Sequence, residues 1–478
     1  MLRLIATGVA AWLLQMARTM ANKGGPGSVS DGCELRILVE NSEYWLRNNG
    51  DLAMLDVTLR RLRDRWPAAR LAVMTDSPSL LRSYFPDCEA VTHFADEAWG
   101  TPTVAERLAA RVGPRFVGPV VMAWLRSKVF VRQKYKGAVR KAARAWRRIV
   151  GRPGPAEQGA SAVGPRLPDV VLSAARHSSL VVVLGGGYVT DADAAQANRV
   201  FNLVEYSREH DVPVVMVGQG IGPLEDPLLR ARAAEVLPRV NLIAVRERRG
   251  GPALLEALGV PADRVVITGD DAIELPYGLR RDTPGNDLGV CIRDTTYAPI
   301  PTSARQAIST SVRAAAGDLG LRLSPIFIAE FRSQDRRSTM PIVRGVKGAR
   351  RPLGRYVAPR AIAERVSGCR VVVTSAYHLG VFALSQGIPV VALSSSKYYD
   401  DKLFGLADMF GEGMRVINVG DDGLAARLDD AIHAAHAEAP EIRHALRERA
   451  AAQIQSSLAA FERAYEFVGS APEGPHSR

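Results

Sequence analysis

Short apolar runs rich in Val, Ile and Leu alternate with stretches of helical periodicity along most of this chain. Runs of that length suit buried strands and are too short for core-spanning helices. ELRILVEN (34–41) reads as a strand, and the stretch from Gly50 to Arg65 then sets Leu52, Leu55, Leu59 and Leu62 on one helix face. ARLAVMT (69–75) reads as a second strand and closes on a Thr-Asp-Ser-Pro turn. VVVLGGG (181–187), VPVVMVGQG (212–220), LIAVRE (242–247) and RVVITGDD (264–271) follow, with helical segments near 195–210, 226–237 and 250–258 between them. A second series holds DLGVCIRD (287–294), a helix near 302–318, RLSPIFIAE (322–330), CRVVVTSAYH (369–378) and GIPVVALSS (387–395). Strands separated by helices pair in parallel through crossovers, so the rhythm predicts an α/β fold of mostly parallel sheets with helices on both faces.

A chain of 478 residues exceeds one ordinary core. The two series therefore predict two Rossmann-like domains facing a cleft, divided at Pro284-Gly285-Asn286: residues 34–285, then 286–440, with 441–478 as a C-terminal helix and tail. The helices from Asp422 to Glu466 are expected to fold back on the first lobe. Residues 1–33 read as an extension and linker. Their apolar stretch Leu4–Leu14 is too short to span a bilayer, lacks a clear small-x-small cleavage site, and reads as a loosely ordered or interfacial helix.

Residues from about 100 to 168 interrupt the rhythm as an insertion in the first lobe. Within it, 126–152 holds many Lys and Arg and no acid, while Val131, Tyr135, Val139, Ala142, Trp146 and Ile149 recur at helical steps. The segment reads either as a helix packed on its own domain with a solvated basic face or as an interfacial helix on an anionic membrane surface. The formal net charge of +12 alone would also admit nucleic acid, but no nucleic-acid-binding motif accompanies it. Cys33, Cys88, Cys291 and Cys369 have no metal-ligand spacing and read as free thiols of a reducing, cytoplasmic compartment. No metal or cofactor is expected.

Ligands of parallel α/β sheets bind at the carboxyl ends of the strands, and several loops there are unusual. Gly185, Gly186 and Gly187 let a ligand approach the backbone, with amides able to face an anion, or they simply make a sharp turn. Thr190 replaces the third glycine of a dinucleotide fingerprint, and no Gly-Lys-Ser/Thr follows. Gln219 and Gly220 lie in the loop after the next strand. Arg246 ends LIAVR and can pair with a phosphate or carboxylate, or salt-bridge Asp270 or Asp271 and hold the loops. Asn49 and Asp51 sit where the first helix starts; Asp51 could cap that helix, and the helix start could bind an anion or sugar hydroxyl. In the second lobe, His378 ends a strand beside a helix start, a better acid/base position than that of His210, His433 or His436.

Asn49 to Asp51, Gly185 to Gly187, Gly218 to Pro223, Arg246 with Glu247, Gly269 to Asp271, and Ser375 to Pro389 follow one another in an order that resembles the polysaccharide pyruvyl transferase family. The resemblance covers roughly 34–410 apart from the basic insertion. It implies a GT-B-like fold and transfer of a pyruvyl group from phosphoenolpyruvate to two hydroxyls of a sugar, as a ketal, in a cell-surface or lipid-linked glycan. It also implies that His378 is the acid/base and that arginines, Arg246 among them, hold the donor. That family often carries Arg two residues before its His, where this chain has Ala376. Arg293, Arg332 or Lys397 is then expected to supply the charge, with Ser375 beside it. Two other readings fit the same scaffold: a glycosyltransferase using a nucleotide sugar, and a non-catalytic glycan-pathway binding protein.

Overall fold

The computed structural model describes residues 34–92, 98–150, 166–296, 298–331 and 334–469, with backbone alone for 132, 133, 135–150 and 469. The helix and linker expected before residue 34, most of the Pro/Gly-rich loop at 153–168, and Arg332 lie outside the described residues.

The first sheet is built from β1 (Arg36–Glu40), β2 (Arg70–Met74), β3 (Glu89–Val91), β4 (Leu180–Val183), β5 (Gly186–Val189), β6 (Val214–Ile221), β7 (Leu242–Val245) and β8 (Val265–Ile267). Its order is β3-β2-β1-β4-β6-β7-β8, with β5 against β6. The second sheet, β10-β9-β11-β12-β13, comprises β9 (Asp287–Cys291), β10 (Arg322–Pro325), β11 (Cys369–Thr374), β12 (Val390–Ser394) and β13 (Met414–Asn418). Every pairing in both is parallel. The central strands β4, β7 and β12 are buried at every residue, as strands covered on both faces must be.

Several boundaries differ from those the sequence suggests. VVVLGGG is not one strand: β4 stops at Val183 and β5 restarts at Gly186. CRVVVTSAYH ends as a strand at Thr374, and His378 lies in the first turn of the following helix. Strand β3 is only three residues long and β13 mixes Val and Ile with Arg and Asn, so neither announces itself.

The helices that position the site are α1 (Asn49–Arg65), α2 (Val104–Val112), α3 (Pro114–Val150), α4 (Tyr377–Leu384), α5 (Lys397–Phe410) and α6 (Leu424–Gly469). Leu52, Leu55, Leu59 and Leu62 of α1 are all buried. Helices α2 and α3 form the insertion and pack on the helix Pro78–Tyr84. The helix α6 runs without a break through residue 440 and contacts both sheets. Its Leu428 and Ile432 join the outer core of the second lobe. Its Phe461 and Tyr465 join a central cluster that also contains Ile37, Leu52, Val372 and Phe382. One apolar cluster therefore runs through the junction of the lobes, and cleft walls from either lobe stand on a shared foundation.

Candidate functional site

A cavity of about 350 Å³ opens between the two sheets, beside the carboxyl ends of their strands. One side is closed by backbone. Asn48 bridges Ala329, the Asn49 amide donates to the Ile328 carbonyl at 2.8 Å, and the Glu330 amide donates to the Arg47 carbonyl at 2.7 Å. The second-lobe strap is fixed from behind by Asp335, whose carboxylate accepts from the Ile328 and Ala329 amides at 3.0 and 2.7 Å.

Besides Arg47, which pairs with Glu43, three cationic side chains line this cavity. Arg293 is held by Asp335 through two bonds of 2.9 Å. Arg246 donates to Asp270 at 3.1 Å and lies over the Tyr377 ring, 4.3 Å from its centroid. Its position requires two glycines: a β-carbon at Gly220 would fall 2.9 Å from the guanidinium, and one at Gly187 would fall 3.0 Å from it. Lys402 of α5 is the third; its ammonium bonds the Tyr398 hydroxyl and the Gly187 carbonyl. Burial first, and then the neighbouring Arg246, pushes the Lys402 ammonium well below its ordinary pKa. The two arginines are neutralised locally by buried carboxylates, whereas among the described residues Lys402 makes no ion pair.

His378 stands at the start of α4, 6% exposed, with Nε2 3.7 Å from Asp270 Oδ2 and without a hydrogen-bond partner among the described residues. Its ring lies on Gly50, where a β-carbon would fall 2.0 Å away. Burial pushes the imidazole down to about 3, Asp270 opposes the shift, and Arg246, Arg293 and Lys402 reinforce it. Asp51 behaves oppositely: burial, and then Glu43, pushes its carboxyl up to about 7. The cavity thus holds a neutral imidazole and a carboxyl that titrates near neutrality.

Of the residues singled out from sequence, Asp51, Gly186, Gly187, Arg246, Arg293 and His378 line this cavity. Gly220 lines an adjoining chamber of about 290 Å³ that shares Arg246, Tyr377, Tyr398 and Lys402 with it. The others stand behind the walls. Gly185 packs on the Gly218 carbonyl. Gln219 is fully buried and donates to the Val183 and Leu184 carbonyls. Asp271 accepts from Ser457 at 2.5 Å. Ser375 accepts from the Arg293 amide at 2.7 Å, and Asn49 belongs to the strap.

Three expectations are corrected. Lys397 points away and pairs with the exposed Glu225 at 3.3 Å, because it is the first residue of α5 and the cleft-facing position lies about one and a half turns further on, at Lys402. Asp51 does not cap α1: Asn48 accepts from the Gly50 amide at 3.0 Å, leaving Asp51 to face the cavity. The triple glycine is not one sharp turn either, since Gly186 and Gly187 belong to β5, where the Gly187 carbonyl is engaged by Tyr398 and Lys402. Sequence reading missed Lys402, Tyr398 and Tyr377. The signal was present in SSSKYYDDK, where Tyr398 and Lys402 stand four apart just beyond a strand's carboxyl end.

The model of a family described as polysaccharide pyruvyl transferase matches residues 48–397. Curated protein sequences offer no match. Among solved structures the chain is similar to S. aureus MnaA in a co-structure with UDP, with a TM-score of 0.52 and 12% identity over 93% of this chain and 100% of that one. It is also similar to the UDP-GlcNAc 2-epimerase of Neisseria meningitidis bound to UDP-GlcNAc, with a TM-score of 0.50 and 10% identity over 91% and 100%. At that identity the likeness is one of fold, the two-lobed GT-B arrangement.

Proposed function

The chain belongs to the polysaccharide pyruvyl transferase family, and on that premise we propose that it transfers the pyruvyl group of phosphoenolpyruvate to two hydroxyls of a sugar in a cell-surface or lipid-linked glycan. The observation that carries the reading is the convergence of Arg246, Arg293 and Lys402 on one largely buried cavity beside His378. A donor bearing both a carboxylate and a phosphate needs such partners, because uncompensated charge is costly to desolvate. Ala376, fully buried at the head of α4, has no room for the arginine that the family often carries there. Lys402 supplies a cation from α5 instead.

In this reading His378 gives a proton to the methylene carbon of phosphoenolpyruvate while carbon 2 becomes cationic in character. A sugar hydroxyl adds to carbon 2 and its proton passes to Asp51. The carbon–oxygen bond to phosphate then breaks and the second hydroxyl closes the ketal. Of the two hydroxyl protons, one ends in the new methyl group and the other on phosphate. The cationic side chains stabilise the departing phosphate. The bound donor brings negative charge beside His378 and Lys402 and draws protons onto both. Its affinity therefore rises as pH falls toward the unliganded imidazole's value of about 3. The acceptor is met at an anionic membrane face on the cytoplasmic side, through the basic segment 126–152.

Thermal shift with phosphoenolpyruvate against a nucleotide sugar, followed by phosphate release with glycan acceptors, tests the reading. Stabilisation by phosphoenolpyruvate alone is expected, and His378→Ala is expected to cut phosphate release by about a hundred- to ten-thousand-fold while the chain stays folded. Stabilisation by the nucleotide sugar alone, or full turnover in His378→Ala, would overturn it.

A further inference from the structure

We infer that the outward side of the α2–α3 hairpin is a docking surface for the headgroup layer of an anionic lipid bilayer. Its use rests on the proposed lipid-linked acceptor; its physics does not.

Along α2, Val104, Leu108 and Val112 are 49%, 51% and 45% exposed; along α3, Phe116, Val120 and Trp124 are 69%, 59% and 53% exposed. Each set recurs every four residues and so lies on one side of its helix. The other sides are accounted for, since Ala109, Met122 and Leu125 are buried, the last two within the central apolar cluster. Beyond Leu125 the helix leaves the body: each described side chain from Arg126 to Val131, and Lys134, is exposed, Phe130 and Val131 included. Exposed apolar rows of this extent mark an interaction surface rather than ordinary surface scatter.

Charge decides what covers it. From Arg107 to Arg152 the sequence holds fourteen Lys and Arg and no Asp or Glu, although the whole chain is only +12, so the remainder carries slightly more acid than base. Cations also sit on two of the exposed aromatic rings of α3, Lys128 over Trp124 at 3.9 Å and Lys134 over Phe130 at 5.5 Å. Apolar side chains bordered by Lys and Arg match the acyl boundary and the anionic headgroups of a bilayer at once. A second copy of the chain would bring like charges together. Nucleic acid would engage the cations but leave Phe116, Val120 and Trp124 in water.

Co-sedimentation of the full chain with phosphatidylcholine vesicles, with and without phosphatidylglycerol, tests the inference in the absence of any substrate. Binding is expected only when phosphatidylglycerol is present and is expected to weaken at high salt. The variant F116S/V120S/W124S should bind about tenfold more weakly or worse, as should R126E/K128E, each with unchanged circular-dichroism melting because these positions are exposed. The inference falls if the parent chain stays in the supernatant, if it binds neutral vesicles equally, or if both variants bind like the parent. It also falls if light scattering shows a dimer that the serine variant dissolves. Transfer to a short soluble acceptor is read in parallel. Its loss in the parent chain alongside intact vesicle binding would strike the chemistry and not this surface, and the reverse result would strike this surface alone.

Discussion

Gly185 and Gly187, two positions apart, answer to different neighbours. A β-carbon at Gly187 would fall 2.4 Å from the Lys402 ammonium and 2.6 Å from its Cε, the far end of a flexible side chain. One at Gly185 would fall 2.7 Å from the Gly218 carbonyl and 3.0 Å from that of Val217, which are backbone atoms that cannot turn aside. Gly187→Ala should therefore leave the fold nearly as stable as before, displace Lys402 and crowd the tip of Arg246, weakening donor binding. Gly185→Ala should lower stability by about 1–3 kcal/mol, as overpacking does. Urea melts set beside phosphoenolpyruvate titrations of the two variants check the contrast; equal melts, or unaltered donor affinity in Gly187→Ala, would count against the placement of Lys402. The sequence exposes this glycine run as unusual, but not that its residues serve a lysine more than two hundred positions away. Contacts of that separation follow from how the lobes meet, which local pattern does not encode.

Among the elements, the strands and the helices behind them were the legible part. Val, Ile and Leu crowd into runs of strand length, and the leucines of α1 keep strict helical spacing, so burial and period agree at those positions. Where that agreement weakens, reading stops short. EAV and MRVIN are too short or too mixed to stand out, and the strand ending at Thr374 gives way to α4 inside a continuous apolar sequence that has no period to mark the change. Helix α5 shows the consequence for the site. Its first residue, Lys397, lies nearest the strand in sequence, but Lys402 is the lysine that the helix turns toward the cavity. Lys402→Gln should therefore raise the dissociation constant for phosphoenolpyruvate tenfold or more, since a charge-assisted contact is worth about 1.5–3 kcal/mol. Lys397→Gln should leave it unchanged, because its partner Glu225 is exposed and such surface pairs contribute little. Calorimetric titration of both variants decides between them, and an equal loss would mean that α5 presents another face to the donor.

At the scale of the molecule, the arrangement of two sheets would permit two independent melting units, yet the packing argues for one. Helix α6 places Leu428 and Ile432 against the second sheet, while Phe461 and Tyr465, about thirty residues later, enter the cluster that binds α1 and α4 together. Polar contacts follow the same path: Arg61 of α1 donates to Ser457 of α6 at 2.7 Å, and Ser457 donates to Asp271 at 2.5 Å. Arg61 also lies over the Phe461 ring, 4.7 Å from its centroid, so the aromatic group and the buried ion network support each other. Phe461 is 2% exposed, and removing its ring leaves a cavity beside a guanidinium that has lost its aromatic neighbour. Phe461→Ala should cost about 3–5 kcal/mol. Because the cluster is shared, the loss should lower one cooperative transition as a whole rather than release one lobe ahead of the other. Differential scanning calorimetry of the parent chain and the variant measures this directly. Two resolved transitions in the parent chain, or a shift confined to one of two in the variant, would show that the lobes fold as separate units and that α6 merely lies along them.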